Sequence, residues 1–399
     1  MKPVPATIVL LLTFGLITVA AAAAHELSGY VAAEGMGFLN DSLYPSQERN
    51  NASVALQPEY YHEWENRSSL TLVPFARLDS ADSRRSHVDI RELNYLWLGD
   101  SWELRVGIGK VFWGVTEFVH LVDIINQTDL VEAFDGEEKL GQPMVDLTLP
   151  MEWGTIDLFV LPYFRERTFP GPAGRLRSAL VVDTDNPTYE SGAEEHHVDF
   201  AIRYSRSIGP WEIGLSHFHG TGREPTLLMG SNAAGDPVLT PYYEQIRQSG
   251  LDLQLITGGW LWKLEGIYRS GQGPDDFFSG AFGFEYTFSG VFGTPADVGV
   301  IAEYIKDERD EKATTPLQDD VAIGVRLAFN DAASSEALIG VVQDTETSAR
   351  LITVEASRRV GSSWKATLEV CVFSNVSPQD ALYDLRNDDY LRLELAYYF

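Results

Sequence analysis

The 399-residue chain has a single cysteine, Cys371, so it can form neither an internal disulfide nor a multi-cysteine metal site. Positive charge is scarce: 30 Lys and Arg stand against 58 Asp and Glu, a formal net charge of -28. That balance excludes general nucleic-acid binding, because an acidic surface repels phosphates instead of releasing their counterions. Beyond residue 24 no apolar run reaches the ~20 residues that a membrane-spanning helix requires. Aromatic residues are not lacking, and the 9 Trp, 17 Tyr and 20 Phe exclude a disordered acidic chain.

Residues 1–24 read as a secretory signal peptide. Lys2 precedes an apolar run from Ile8 to Val19, and Ala20 to Ala24 offer an A-x-A cleavage site before His25. Residues 25–399 then form one domain.

Strict alternation runs through this domain. Leu391, Leu393, Leu395, Tyr397 and Phe399 fall on one face, with Arg392, Glu394 and Ala396 on the other. This is the period of a strand, not of a helix. The same pattern recurs in about eighteen segments, near 27–36, 52–61, 67–78, 87–98 and 101–112 and onward to 363–374 and 389–399, with sixteen the alternative even count. Short connections such as Gly99-Asp100, Ser207 to Pro210 and Gly258-Gly259 alternate with long polar ones at 37–51, 113–142, 163–195, 220–241, 307–318 and 375–388. This rhythm predicts an all-β fold, a single transmembrane antiparallel barrel with short periplasmic turns and long extracellular loops.

Alternation alone does not separate a soluble sandwich from a membrane barrel. Three features favour the barrel. Aromatics such as Trp97, Trp102, Trp211, Trp364, Tyr204 and Tyr286 sit near the ends of the apolar faces, as in an interfacial girdle. The polar faces carry charge at mid-strand, as at Glu285, Arg326 and Glu369, and the chain stops on an aromatic at the end of an alternating strand.

That ending, Leu391-Arg392-Leu393-Glu394-Leu395-Ala396-Tyr397-Tyr398-Phe399, resembles the terminal signal that Gram-negative outer-membrane barrels present to their assembly machinery, with Tyr397 and Phe399 as its aromatics. With the signal peptide and the hairpin rhythm, it makes the whole mature chain similar to the bacterial porin superfamily. Val106-Gly107-Ile108-Gly109-Lys110-Val111-Phe112-Trp113-Gly114, followed by Asp123, Asn126 and Asp129, also resembles a strand and loop of poorly characterised porin-like families. The resemblance implies an outer-membrane location, contact with lipid and lipopolysaccharide, engagement of the assembly machinery through the last strand, and a homotrimer as one assembly open to it. It implies passage of small hydrophilic solutes and no enzymatic activity. Nothing in the sequence calls for a cofactor.

Porin-like barrels narrow their lumen with an inward-folded loop, and segment 113–142 is the candidate. Val115, Phe118, Val119, Val122 and Ile125 recur at helical spacing among many carboxylates. Glu117, Asp123, Asp129 and Glu132 are the candidate constriction acids, which would favour cations. The inward face of the strands carries Glu92, Glu103, Asp146, Asp157, Asp199, Glu212, Asp252, Glu265, Glu285, Glu303, Glu355, Glu369 and Glu394 against Arg105, Arg203, Lys263, Arg326, Lys365 and Arg392. Cross-strand pairing, as of Glu394 with Lys365 or Arg392 with Glu369, competes with a role in conduction. Parity fails near Arg91 and Glu92, which predicts a bulge.

His217 and His219 are weak metal candidates, because a turn pairing 207 with 210 would set Phe200 opposite His217 and Val198 opposite His219. Ser216 and His217 are adjacent and therefore on opposite faces, which disfavours a hydrolase. A substrate-selective channel is the alternative, with Trp113, Phe118, Phe159 and Phe218 as scattered aromatics along a path. A plugged structural barrel is a lesser reading.

Overall fold

The computed structural model describes residues 25–399; the signal segment 1–24 lies outside them. The strands in chain order are β1 (His25–Phe38), β2 (Asn50–Glu63), β3 (Ser68–Asp79), β4 (His87–Leu98), β5 (Glu103–Gly109), β6 (Gln142–Met151), β7 (Gly154–Leu161), β8 (Thr188–Tyr189), β9 (Asp199–Ile208), β10 (Trp211–Thr221), β11 (Thr226–Ser231), β12 (Pro237–Tyr243), β13 (Gln245–Thr257), β14 (Trp260–Ser270), β15 (Phe277–Phe288), β16 (Asp297–Asp307), β17 (Asp319–Ala328), β18 (Glu336–Asp344), β19 (Arg350–Val360), β20 (Trp364–Ser374) and β21 (Tyr390–Tyr398). Eighteen of them form one antiparallel sheet, and β1 pairs with β21 from Tyr30 opposite Tyr398 to Phe38 opposite Tyr390. The sheet is therefore a closed barrel with no free edge.

The alternation places the apolar faces outward. Leu391, Leu393, Leu395 and Tyr397 on β21, and Val321 and Ile323 on β17, are all solvent-exposed, as are Phe200 and Ile202 on β9. A continuous outer band of this kind is incompatible with water and fits a hydrocarbon surround. Short turns gather at the end that holds His25 and Phe399. In the turn between β13 and β14, Thr257 pairs with Trp260, and Gly258 takes φ +61° to make the two-residue reversal. The predicted bulge is present: Val73 faces Glu92 and Pro74 faces Ile90, leaving Arg91 as the extra residue.

Two features were not anticipated. Strands β8, β11 and β12 form a separate three-stranded sheet on the long-loop end, inside the segments expected to be irregular. An apolar core also fills part of the lumen. Met144 on β6, Phe159 and Leu161 on β7, Ala201 on β9, Phe218 on β10, Ile246 on β13, Ile267 on β14 and Phe277 on β15 pack inward against Trp113, Val122, Ile124 and Ile125. Each such large side chain contributes roughly 1.5–3 kcal/mol of burial. One side of the barrel is thus solid at the loop end, and open space lies on the side of β1–β4 and β17–β21.

Candidate functional site: the lumen and the segment that crosses it

The core is built on the segment Lys110–Gly141, between β5 and β6. Its apolar spacing predicts a helix, but the chain forms turns, bends and two isolated bridges there, Thr128 with Lys139 and Asp129 with Thr168. The cause is competition for its amides. Glu265 on β14 accepts the N–H groups of Val115 (2.6 Å), Thr116 (3.0 Å) and Val122 (3.1 Å) and the Thr116 hydroxyl (2.8 Å). Glu303 on β16 accepts those of Glu117 (2.7 Å) and Phe118 (3.1 Å). Charge-assisted bonds of this kind are roughly twice as strong as the amide–carbonyl bonds of a helix. At the base, the Asn126 side chain accepts from Val111 N–H and donates to the carbonyls of Gly109 and Leu140.

The tip reaches the far wall. Glu117 pairs with Arg326 on β17 (2.5 Å) and with Lys263 on β14 (3.4 Å). Strand β17 lies nine strands from β5 in the ring of eighteen, so the segment spans the barrel's diameter. Phe118 rests on the facing glycines Gly324 and Gly340, where added Cβ atoms would stand 3.1 Å and 2.8 Å from its ring. The return limb is tied to the near wall by Asp129 with Arg91 (2.6 Å) and by Glu132 with Arg77 (2.9 Å). Phe134 packs edge-on against Phe373 of β20.

These contacts divide the four acids proposed for the constriction. Asp129 is fully buried and Glu132 is 8% exposed, both locked in ion pairs. Asp123 is held by Lys139 at 3.3 Å and by the Trp113 amide, and burial outweighs both and raises its carboxyl. Glu117 and Glu132 both border open space, but Glu117 has the most exposed side chain of the four and stands between two cations. Removing one partner of a buried pair strands the other charge at a cost of about 3–5 kcal/mol, so Asp129 and Glu132 hold the segment in place.

The wall residues sort in the same way. Arg203 and Asp252 form a bidentate pair at 2.7 Å, and Arg105 stands 3.9 Å from Asp146. Asp199 binds Arg223, the Thr221 amide and His197. Glu285 shares Arg326 with Glu117, and Glu369 pairs with Arg392 and accepts from Tyr390. The expected pair of Glu394 with Lys365 is not formed, because Glu394 lies opposite Thr367 and Lys365 opposite Ala396. Glu103 and Glu394 have no cationic partner among the described residues.

His217 and His219 face outward, and His217 hydrogen-bonds Ser249. Ile208 pairs with Trp211, each one residue further along the chain than expected, so His217 faces Ile202 and His219 faces Phe200. The tight Gly209-Pro210 reversal sets this register, and no cluster of three metal ligands occurs among the described residues. Trp113, Phe159 and Phe218 belong to the buried core, not to a path; Phe118 alone of those four borders open space.

Two cavities meet beside the crossing segment. The larger, about 640 Å³, opens toward the short-turn end and includes Glu34, Arg77, Arg91, Lys365 and Glu394. The smaller, about 310 Å³, lies toward the long loops. They share Glu117, Asp135, Glu137, Leu338, Glu355 and Glu369, which form a neck between them. Asp135 has no cationic partner among the described residues, and desolvation together with the Glu369 and Glu137 charges pushes its carboxyl up to about 6. Burial opposes ionisation of Glu137, but His120 at 3.1 Å prevails and holds it below the usual range. Asp135 and Glu137 were not among the four acids proposed for the constriction, whereas Glu355 was read on the inward face of its strand. The carboxylates of 135 and 137 were visible in the segment, but nothing in the sequence set them against β19.

No protein-family model matches the chain, and no curated protein matches it in sequence. Solved structures match it over nearly its full length. A BenF-like porin from Pseudomonas fluorescens Pf-5 has a TM-score of 0.55 at 9% identity, covering 95% of this chain and 98% of that one. OmpT of Vibrio cholerae, in its trimer form, gives 0.46 at 8%, covering 94% and 99%. An engineered Rhodopseudomonas blastica porin gives 0.44 at 13%, covering 94% and 100%. The closed ring of eighteen antiparallel strands and the first of these likenesses define a porin-like β-barrel.

Proposed function

We propose that this protein is an outer-membrane channel for passive diffusion of small hydrophilic solutes, with a preference for cations. The observation that carries the reading is the pair of cavities joined through a neck bordered by Glu117, Asp135, Glu137, Glu355 and Glu369. Carboxylates around a narrow water-filled passage attract cations and repel anions. In this reading the crossing segment is the constriction, the short turns face the periplasm and the long loops face outward. The outer apolar band contacts lipid, the long loops meet lipopolysaccharide, and the last strand with Tyr397 and Phe399 is read by the assembly machinery. Catalysis has no part in it.

The test is conductance of the purified protein in a planar bilayer, with swelling of proteoliposomes in small sugars as a second readout. Discrete steps with sugar permeation support the reading. A barrel that inserts and carries neither ions nor sugars contradicts it.

A further inference from the structure

Inward positions of an aqueous barrel are polar, since water lines the lumen. On β18 and β19 three of them are not. Leu338 and Val342 on β18 and Leu351 on β19 point inward, with Val342 opposite Leu351 and Leu338 opposite Glu355. Phe118 and Phe134 of the crossing segment and Leu382 of the last long loop close the recess above them, about 310 Å³ in volume. That is the lower end of the range for small-molecule sites, which are mostly apolar with a few convergent polar groups.

The charged groups here are five acids and one histidine, His120, which already binds Glu137. No lysine or arginine borders the recess among the described residues. Glu117, Glu137 and Glu369 already hold cationic partners, whereas Asp135 and Glu355 have none among the described residues and are exposed to the lumen. An alkali ion would gain from the carboxylates but nothing from the apolar walls. A solute that uses both has an ammonium group and an apolar body of ring size.

We propose that this recess binds organic ammonium ions bearing an apolar ring or chain, so that the channel takes up amphipathic amines in preference to small inorganic cations. The proposal rests on the channel reading above. The ammonium group sits between Asp135 and Glu355, and the apolar body lies against Leu338, Val342 and Leu351 with the Phe118 ring beside it. An isosteric carboxylate meets the same walls but is repelled by the floor.

The experiment adds benzylammonium, methylammonium or benzoate to the full chain in a planar bilayer and reads block of the K⁺ current. Benzylammonium should half-block at a concentration at least about tenfold below methylammonium, and benzoate should not block. Glu355→Gln should raise the benzylammonium concentration needed, and Leu351→Ser should erase its advantage while leaving methylammonium unchanged. Equal block by the two amines, or block that neither variant alters, overturns the proposal. A protein without K⁺ current overturns the channel reading instead; calorimetry of benzylammonium with the solubilised protein then decides the site. Saturable binding weakened in both variants supports it, and no binding, or equal binding in all three proteins, overturns it.

Discussion

Glu117, at the tip of the crossing segment, contacts Arg326 on the strand diametrically opposite the one from which the segment departs. One ion pair thus measures the barrel's inner width, and Arg326 is shared with Glu285 on the neighbouring side of the wall. Glu117→Gln removes one neck charge and frees Arg326 to lean toward Glu285. We expect weaker cation preference in this variant with the barrel still folded, because the pair is partly exposed and its net contribution is small, on the order of 1 kcal/mol. Reversal potential under a KCl gradient checks this, and an unchanged value places the filter elsewhere.

Glu265 is the main fastening of the segment. Glu265→Ala leaves the Val115, Thr116 and Val122 amides without their acceptor, at about 1–3 kcal/mol for each group that finds no water. The barrel's ladder is untouched, so the protein should still run as a folded barrel on a semi-native gel. Its single-channel conductance should rise and become noisier as the tip loosens. Unaltered conductance would mean that the core around Val122 and Ile125 holds the segment unaided.

The Phe118 notch offers a steric test. Gly340→Ala puts a methyl 2.8 Å from the Phe118 ring and 2.9 Å from the Thr353 hydroxyl, so the ring must move. Overpacking of this kind costs about 1–3 kcal/mol. The variant should show changed conductance and a lower unfolding temperature, and Phe118→Ala in the same chain should recover much of the stability. A double variant no more stable than Gly340→Ala alone would deny the coupling.

A pH response is expected from Asp135. With its carboxyl near pH 6, protonation on going from pH 7 to pH 5 removes a neck charge, so cation preference should fall over that interval. The stability sign is opposite to that of a paired acid. A carboxyl raised in the folded state disfavours folding when ionised, so its penalty is present above pH 6 and is relieved as pH falls from there toward the ordinary aspartate value. Asp135→Asn should abolish the pH step in reversal potential, and a step of the same size in the variant would assign it to another group.

The wall was legible because an outward apolar face and an inward polar one leave a period-two signature in every strand, and both ends of β21 and the bulge at Arg91 fell where that signature placed them. The crossing segment was legible as a segment but not as a structure. Of its helically spaced residues, Val122 and Ile125 join the core of Phe159, Phe218 and Ile267 while Phe118 rests on the far wall, and its backbone bonds go to Glu265 and Glu303 on strands far away in sequence. The inward positions of β7, β10 and β15 turn from charged to apolar toward the long-loop end, at Phe159, Phe218 and Phe277. That change marked where something packs inside the barrel. Acid content alone could not separate Asp129 and Glu132 from Glu117, since their burial beside Arg91 and Arg77 is invisible without the fold.

The central claim is that the exposed neck acids set ion preference while the buried ones hold the segment. Reversal potential under a KCl gradient, compared between wild type and the Asp135→Asn, Glu355→Gln double variant at pH 7.5, tests it most directly. The account predicts a cation-selective wild type whose potential falls toward zero in the variant, with conductance steps retained. A wild type selective for anions, or a variant with undiminished cation selectivity, would contradict it.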